Sequence, residues 1–124
     1  SNVMFLGRIS ESDSKRIYAL ADLYVMPSVS EPFGITALEA MSSATPIMIS
    51  KTSGVSEVIK SAIKADFWDI DGMASKMLAI LKYDTLRKTM STHGSNEAKR
   101  LTWDKTAQST LIVYHELLGF GKLD

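Results

Sequence analysis

Pro27-Ser28-Val29-Ser30-Glu31-Pro32-Phe33-Gly34-Ile35-Thr36-Ala37-Leu38-Glu39-Ala40 constrains the fold of this chain more than any other stretch. Just upstream, Ala21-Asp22-Leu23-Tyr24-Val25-Met26 is a short apolar, partly β-branched run that stops at a proline. It reads as a buried strand. Downstream, Ile35, Leu38 and Met41 recur at helical spacing, so a helix starts near Phe33 or Gly34. The loop between holds Ser, Pro, Gly and one carboxylate, Glu31; a second, Glu39, falls just over one turn into the helix. Strand, glycine-bearing loop and helix N-terminus form an anion-binding corner, because free N–H groups and the positive helix end face the crevice past the strand. That end charge is worth roughly 0.3–1 kcal/mol when exposed and about 2 kcal/mol when partly buried. Two carboxylates beside it can accept hydrogen bonds from hydroxyls, so a ligand bearing both phosphates and sugar hydroxyls suits the corner.

Simpler readings of the same residues stay open at this level. Glu31 could merely favour the helix N-terminus, Ser28 and Ser30 could be capping or turn residues, and Glu39 could be a solvated helix residue.

Length and charge exclude much else. At 124 residues the chain is one domain or part of one, able to bury roughly two-thirds of its unfolded surface. Fourteen basic residues balance fourteen acidic ones, with no block of like charge, so nucleic acid is not an expected partner. The absence of cysteine removes disulfides, thiolate nucleophiles and cysteine-based metal sites, and suits a reducing, cytoplasmic setting. No apolar run reaches membrane-spanning length.

The rest of the chain predicts an alternation of strands and helices. Val3–Gly7 reads as a first strand, and Ser10–Ser14 supplies N-cap candidates for a helix carrying Ile17, Leu20 and Ala21. The corner helix runs to about Ser43. Thr45–Ser50 reads as a strand entered through Pro46, where a missing N–H is tolerated. Lys51–Ser56 is a second glycine-bearing loop, feeding a helix near Ser56–Ser61. Ala65–Trp68 reads as a fourth strand. Asp69 or Asp71 caps a helix over Gly72–Lys82, with Met73, Met77, Leu78 and Leu81 inward. Asp84–Lys99 follows, with Leu86 and Met90 inward. Thr102 then caps Trp103–Leu118, with Ala107, Leu111 and Tyr114 at core spacing, and Gly119 ends that helix. Trp68, Trp103 and the seven methionines read as core. His93 and His115 lack partners at metal-ligand spacing and read as helix-surface residues. This order implies an α/β fold: a parallel, Rossmann-like sheet of about four strands with right-handed crossovers and flanking helices. Its ligand loops are 27–34 and 51–56.

Phe5-Leu6-Gly7, Ala21–Ser28, Glu31-Pro32-Phe33-Gly34, Leu38-Glu39-Ala40-Met41 and Thr45-Pro46-Ile47 resemble the carboxyl-terminal domain of group 1 retaining glycosyltransferases of the glycogen-synthase and sucrose-phosphate-synthase type. Gly54, Glu57-Val58-Ile59, Trp103 and Tyr114 fall where that family has similar residues, so the likeness covers nearly the whole chain. Its most specific element is the pair of glutamates with seven residues between them.

The resemblance implies a two-domain (GT-B) enzyme in which residues 1–124 are part of the donor-binding, carboxyl-terminal half, inactive alone. It implies transfer of a sugar from a UDP-, GDP- or ADP-linked donor to an acceptor, with retention of configuration, as in polysaccharide biosynthesis. No cofactor and no metal are expected. The acceptor, a sugar or a lipid-linked group, is expected to bind through the other domain, with peripheral membrane association where it is lipid-linked. Glu31 matches the glutamate beside the donor sugar; Phe33, Gly34 and Ile35 match positions whose amides meet sugar hydroxyls and phosphates. Thr36 lies where a side chain can reach phosphate, Glu39 matches the glutamate that accepts ribose hydroxyls, and Ser28 and Gly54 complete the donor set. Glu31 is expected to position the sugar rather than attack it. Two other functions fit the same pattern: a nucleotide-sugar 2-epimerase, or a nucleotide- or anion-binding module without chemistry. A hydrolase using the two carboxylates as acid and base fits less well, since Glu39 beside an anion-binding turn suits polyol binding.

Departures from the family pattern are informative. In the family the diphosphate-gripping Arg and Lys precede the strand matched here, so the resemblance implies that neither Arg8 nor Lys51 is expected to take that role. Ala44 replaces the usual glycine before Thr-Pro, and Lys64–Asp69 replaces the usual segment after Ile59. With no strand beside it, Leu23–Met26 would present an open edge. That edge is expected to pair with Val3–Leu6 or to dimerise.

Overall fold

In a computed structural model, which describes residues 2–119, the alternation predicted from Leu23 onward is present, while the strand expected before it is not, so the sheet has three strands rather than about four. The elements are α1 (Glu11–Leu20), β1 (Tyr24–Met26), α2 (Ile35–Ser42), β2 (Ile47–Ser50), α3 (Val55–Val58), β3 (Ile63–Ala65), α4 (Ile70–Lys82), α5 (Asp84–Ala98) and α6 (Trp103–Leu117). The three strands form a parallel sheet in the order β1-β2-β3, with Tyr24 opposite Ile47 and Met48 opposite Ile63.

β2 is central, and all four of its residues are buried. Successive side chains of a strand point to opposite faces. Accordingly Ile47 and Ile49 join Ala37, Ala40 and Met41 of α2 in the core cluster, while Met48 is buried outside that cluster. A strand covered on both faces reads as a continuous apolar run, which is why Ile47-Met48-Ile49 lacks alternation.

Helix ends follow local chemistry. The side chains of Ser10, Asp69 and Thr102 each accept an N–H three residues on, from Asp13, Gly72 and Lys105. These bonds satisfy donors that the helices themselves leave open. The Glu97 carboxylate of α5 accepts the N–H groups of Lys60 and Ser61 at 2.8 and 2.7 Å, clamping the segment after α3. Burial alone would raise its pKa, but these bonds outweigh burial and hold it below the usual carboxylate range. Its stabilising contribution is therefore present above the unfolded carboxylate pKa, and is lost as the pH falls through the lowered folded one.

α2 ends in a Schellman motif. Thr45 N–H donates to the Ala40 carbonyl, Ala44 N–H donates to the Met41 carbonyl, and Ala44 stands in the left-handed region at φ +59°. A side chain costs roughly 1–2 kcal/mol there, which is why glycine dominates this position. Ala44→Gly is accordingly expected to stabilise the fold by about 1 kcal/mol, after allowing for glycine's greater unfolded-state entropy. Urea unfolding checks this as a raised midpoint at unchanged slope.

Several expectations are corrected. Val3–Leu6 is not a strand and does not pair with β1; Phe5 is 95% exposed. Among the described residues no strand lies beside the outer edge of β1. The third strand is Ile63–Ala65, not Ala65–Trp68, because its register against Met48–Ser50 starts at Ile63. The Ala65 carbonyl then accepts from Lys51 N–H, and the chain turns away. Trp68 lies exposed, stacked edge-on against Phe67. In α4 the inward stripe is Met73, Met77 and Ile80, spaced four and three residues apart; Leu78 and Leu81 fall off it and are exposed. α6 has no buried residue, so Ala107, Leu111, Tyr114 and Trp103 are exposed rather than core. Four methionines (Met26, Met41, Met48, Met90) are core residues, whereas Met4 is exposed.

Candidate functional site

The two loops past the strand ends close on one another. Glu31 and Ser53 form a parallel bridge, Gly54 N–H donates to the Glu31 carbonyl at 3.0 Å, and Val55 N–H donates to the Phe33 carbonyl at 2.6 Å. Ser28 is held from beneath: its carbonyl accepts the Ser50 hydroxyl at 2.7 Å and the Thr52 hydroxyl at 3.3 Å. Ser28, Glu31, Phe33, Gly34 and Gly54 therefore belong to one rigid corner.

Two glycines make the closure possible. A Cβ on Gly54 would stand 2.1 Å from the Pro32 carbonyl oxygen. Gly34 has φ +106°, and a Cβ there would stand 2.8 Å from Met26 Cε and 3.1 Å from Val55 Cγ1. Gly34 is also the N-cap of α2 and makes no side-chain cap bond, as glycine must. The first N–H groups of α2, including those of Ile35 and Thr36, have no intrahelical acceptor. They present a polar, positive helix end at the corner.

Both carboxylates lie near this end. The Glu31 carboxylate accepts weakly from Phe33 N–H, Oε1 to N 3.4 Å. Glu39 is exposed one turn further along α2. The half-buried phenol of Tyr24 lies at the helix start, bonded to Thr36. Burial, and then the charges of Glu31 and Glu39, push its pKa up against the opposing effect of its bond to Thr36. The Thr36 hydroxyl bonds the Tyr24 hydroxyl at 2.7 Å and contacts Met26 Sδ at 3.8 Å, so it is turned toward β1. Sequence reasoning missed Tyr24, whose hydroxyl bonds Thr36 at the helix start, because nothing local separates a tyrosine under a site from one in a core.

A groove of about 800 Å³ runs along the outer side of α2, lined by Phe33, Ile35, Leu38 and Glu39 and by Trp103 and Lys105 of α6. It meets the corner at Phe33 and Ile35; Glu31, Gly34 and Gly54 do not line it. Lys51 pairs with Asp66 at 2.7 Å, and Arg8 lies exposed ahead of α1.

A parallel sheet flanked by helices, with a glycine-bearing loop, a helix N-terminus and two acids past its strand ends, defines a Rossmann-like domain with a candidate ligand corner. A family model described as glycosyl transferases group 1 matches residues 1–97. Mannosylfructose-phosphate synthase of Agrobacterium fabrum is 36% identical over 90% of this chain and 25% of its own length. O-antigen chain mannosyltransferase B of Escherichia coli is 32% identical over 90% of this chain and 30% of its own. An uncharacterized glycosyltransferase of Methanocaldococcus jannaschii is 34% identical over 94% and 32%. Among solved structures, sucrose-phosphate synthase from Thermosynechococcus elongatus superposes with a TM-score of 0.81 at 27% identity, over 95% of this chain and 31% of that one. The chain belongs to the group 1 glycosyl transferases. It spans a quarter to a third of the length of the curated relatives it matches.

Proposed function

We propose that these residues form the donor site of a retaining glycosyltransferase that moves a sugar from a nucleoside-diphosphate donor to an acceptor. In this reading the chain is part of the carboxyl-terminal half of a two-domain enzyme, and the acceptor binds through the other half. The observation that carries the reading is the glycine-built closure of the two loops at the open N-terminus of α2, with Glu31 in the loop and Glu39 exposed one turn into the helix.

The chemistry follows from that placement. As the sugar–phosphate bond breaks, negative charge grows on the departing diphosphate. Backbone N–H groups at Gly34, Ile35 and Thr36, fixed before the reaction, stabilise that charge without reorganising. The acceptor hydroxyl attacks from the face the diphosphate leaves, so configuration is retained and no side-chain nucleophile is needed. Glu31 holds the donor sugar; Glu39 accepts hydrogen bonds from the ribose. The relatives' names span mannosyl and sucrose-phosphate chemistry. That spread is consistent with a shared donor-gripping corner and a variable acceptor side.

Titration of the full polypeptide with UDP, GDP and ADP tests the reading. One of the three is expected to bind, and Glu39→Ala to weaken it about tenfold through the lost ribose bonds. Unchanged affinity would remove Glu39 from the site. Binding with no sugar transfer would leave a module without chemistry.

A further inference from the structure

One hydroxyl at the start of α2 has its proton on a poor partner. The Thr36 side chain is exposed in the first turn, beside N–H groups that have no intrahelical acceptor. It touches the Tyr24 hydroxyl at 2.7 Å and Met26 Sδ at 3.8 Å. A hydroxyl carries one proton and a thioether carries none. Thr36 is therefore the donor to sulfur, and the short bond runs from the Tyr24 phenol to Thr36 Oγ1. A thioether accepts weakly, whereas a bond to an ionised oxygen such as that of a phosphate is roughly twice as strong as a neutral one. Tyr24 itself is fixed on several sides. Its N–H donates to the Pro46 carbonyl at 2.9 Å, and it pairs with Ile47 across the sheet. Its ring packs edge-to-face on Tyr18, centroids 5.6 Å apart, and both rings lie against the core cluster.

We infer that Tyr24 is a positioning residue: its phenol donates to Thr36 Oγ1, so that the Thr36 O–H is left to turn from Met26 Sδ to a phosphate oxygen of the bound ligand. This rests on the donor-site reading above and adds a side-chain donor to the backbone ones. The proton stays on Thr36 Oγ1 throughout; only its acceptor changes. The physical reason is preorganisation. An exposed threonine samples several rotamers, and ordering it on binding is costly. A phenol anchored by the sheet and by ring packing orders Thr36 beforehand. It also occupies the acceptor side of the hydroxyl, so the one remaining role of Thr36 toward a ligand is to donate. An anion, which only accepts, is the ligand that such a hydroxyl suits.

Binding of the tightest of UDP, GDP and ADP to variants of the full polypeptide decides it, with a thermal melt of each variant to show that it is folded. Thr36→Val keeps the shape and removes the hydroxyl; it is expected to weaken the nucleotide about tenfold. Thr36→Ser restores the hydroxyl and is expected to bind within about twofold of the unaltered protein. Tyr24→Phe keeps the ring packing and is expected to weaken binding about threefold. The same change made in the Thr36→Val protein is expected to cost nothing further, because the hydroxyl it directs is gone. An equal loss in both backgrounds would show that the phenol acts through packing, and would overturn the inference. Unchanged affinity in Thr36→Val, or no rescue by Thr36→Ser, would overturn it as well. Each of these results leaves the donor-site reading standing. Failure of all three nucleotides to bind the unaltered protein would overturn both. Thr36→Val and Thr36→Ser alter an exposed side chain, so they decide the matter even if Tyr24→Phe unfolds.

Discussion

Gly54→Ala is expected to destabilise the domain by about 3 kcal/mol, the cost of forcing atoms into a packed site that cannot give. The added Cβ would stand 2.1 Å from the Pro32 carbonyl oxygen, 2.9 Å from its carbon and 3.1 Å from Phe33 Cα. All three are main-chain atoms, so no side chain can swing aside. The loops cannot simply part, because Gly54 N–H and Val55 N–H hold the Glu31 and Phe33 carbonyls. Relief of the clash breaks those bonds and moves the start of α2, so on the donor-site reading nucleotide binding falls with stability. Gly94→Ala is the matched control. A Cβ there meets Met41 at 3.7 Å and the Ser61 carbonyl at 3.9 Å, ordinary contacts, inside α5. Helix propensity then makes it neutral or stabilising by up to about 1 kcal/mol. Denaturant midpoints of the two variants give the comparison; equal midpoints would show that the loop closure is not rigid.

Glu31→Ala carries the second large effect. On the donor-site reading it lowers kcat about a hundredfold or more, equivalent to about 2.7 kcal/mol, because a misplaced donor sugar loses alignment with the attacking hydroxyl. Stability should change little. The carboxylate's in-chain bond, to Phe33 N–H, is long at 3.4 Å, whereas the bridge to Ser53 and the bond from Gly54 use the Glu31 backbone. Single-turnover transfer with the cognate nucleotide sugar, beside a thermal melt, separates the two quantities. An unchanged kcat would deny Glu31 its place beside the sugar.

What could be read in the sequence was what local chemistry decides. β1, the corner loop and α2 announce themselves through Pro27, Gly34 and the spacing of Ile35, Leu38 and Met41; Ser10, Asp69 and Thr102 cap the helices expected of them. Burial was another matter, since an apolar stripe carries no record of whether anything covers it. Val3–Leu6 has strand composition and α6 has core spacing, yet both are exposed in this chain. The phase of α4 slipped for a related reason: Leu78 and Ile80 are both apolar, and packing selects Ile80. Gly54 read as a turn glycine, but its requirement comes from Pro32, twenty-two residues earlier in the chain. Ala44 shows the converse: its departure from glycine was visible in sequence, and the left-handed φ explains what it costs.

The most direct test of the account is to map where a nucleoside diphosphate touches the protein, by amide chemical-shift changes in the full polypeptide titrated with UDP, GDP and ADP. The account predicts the largest shifts at the Gly34, Ile35 and Thr36 N–H groups, with Glu39 and Gly54 next. Binding that leaves those amides unmoved and perturbs another surface would contradict it.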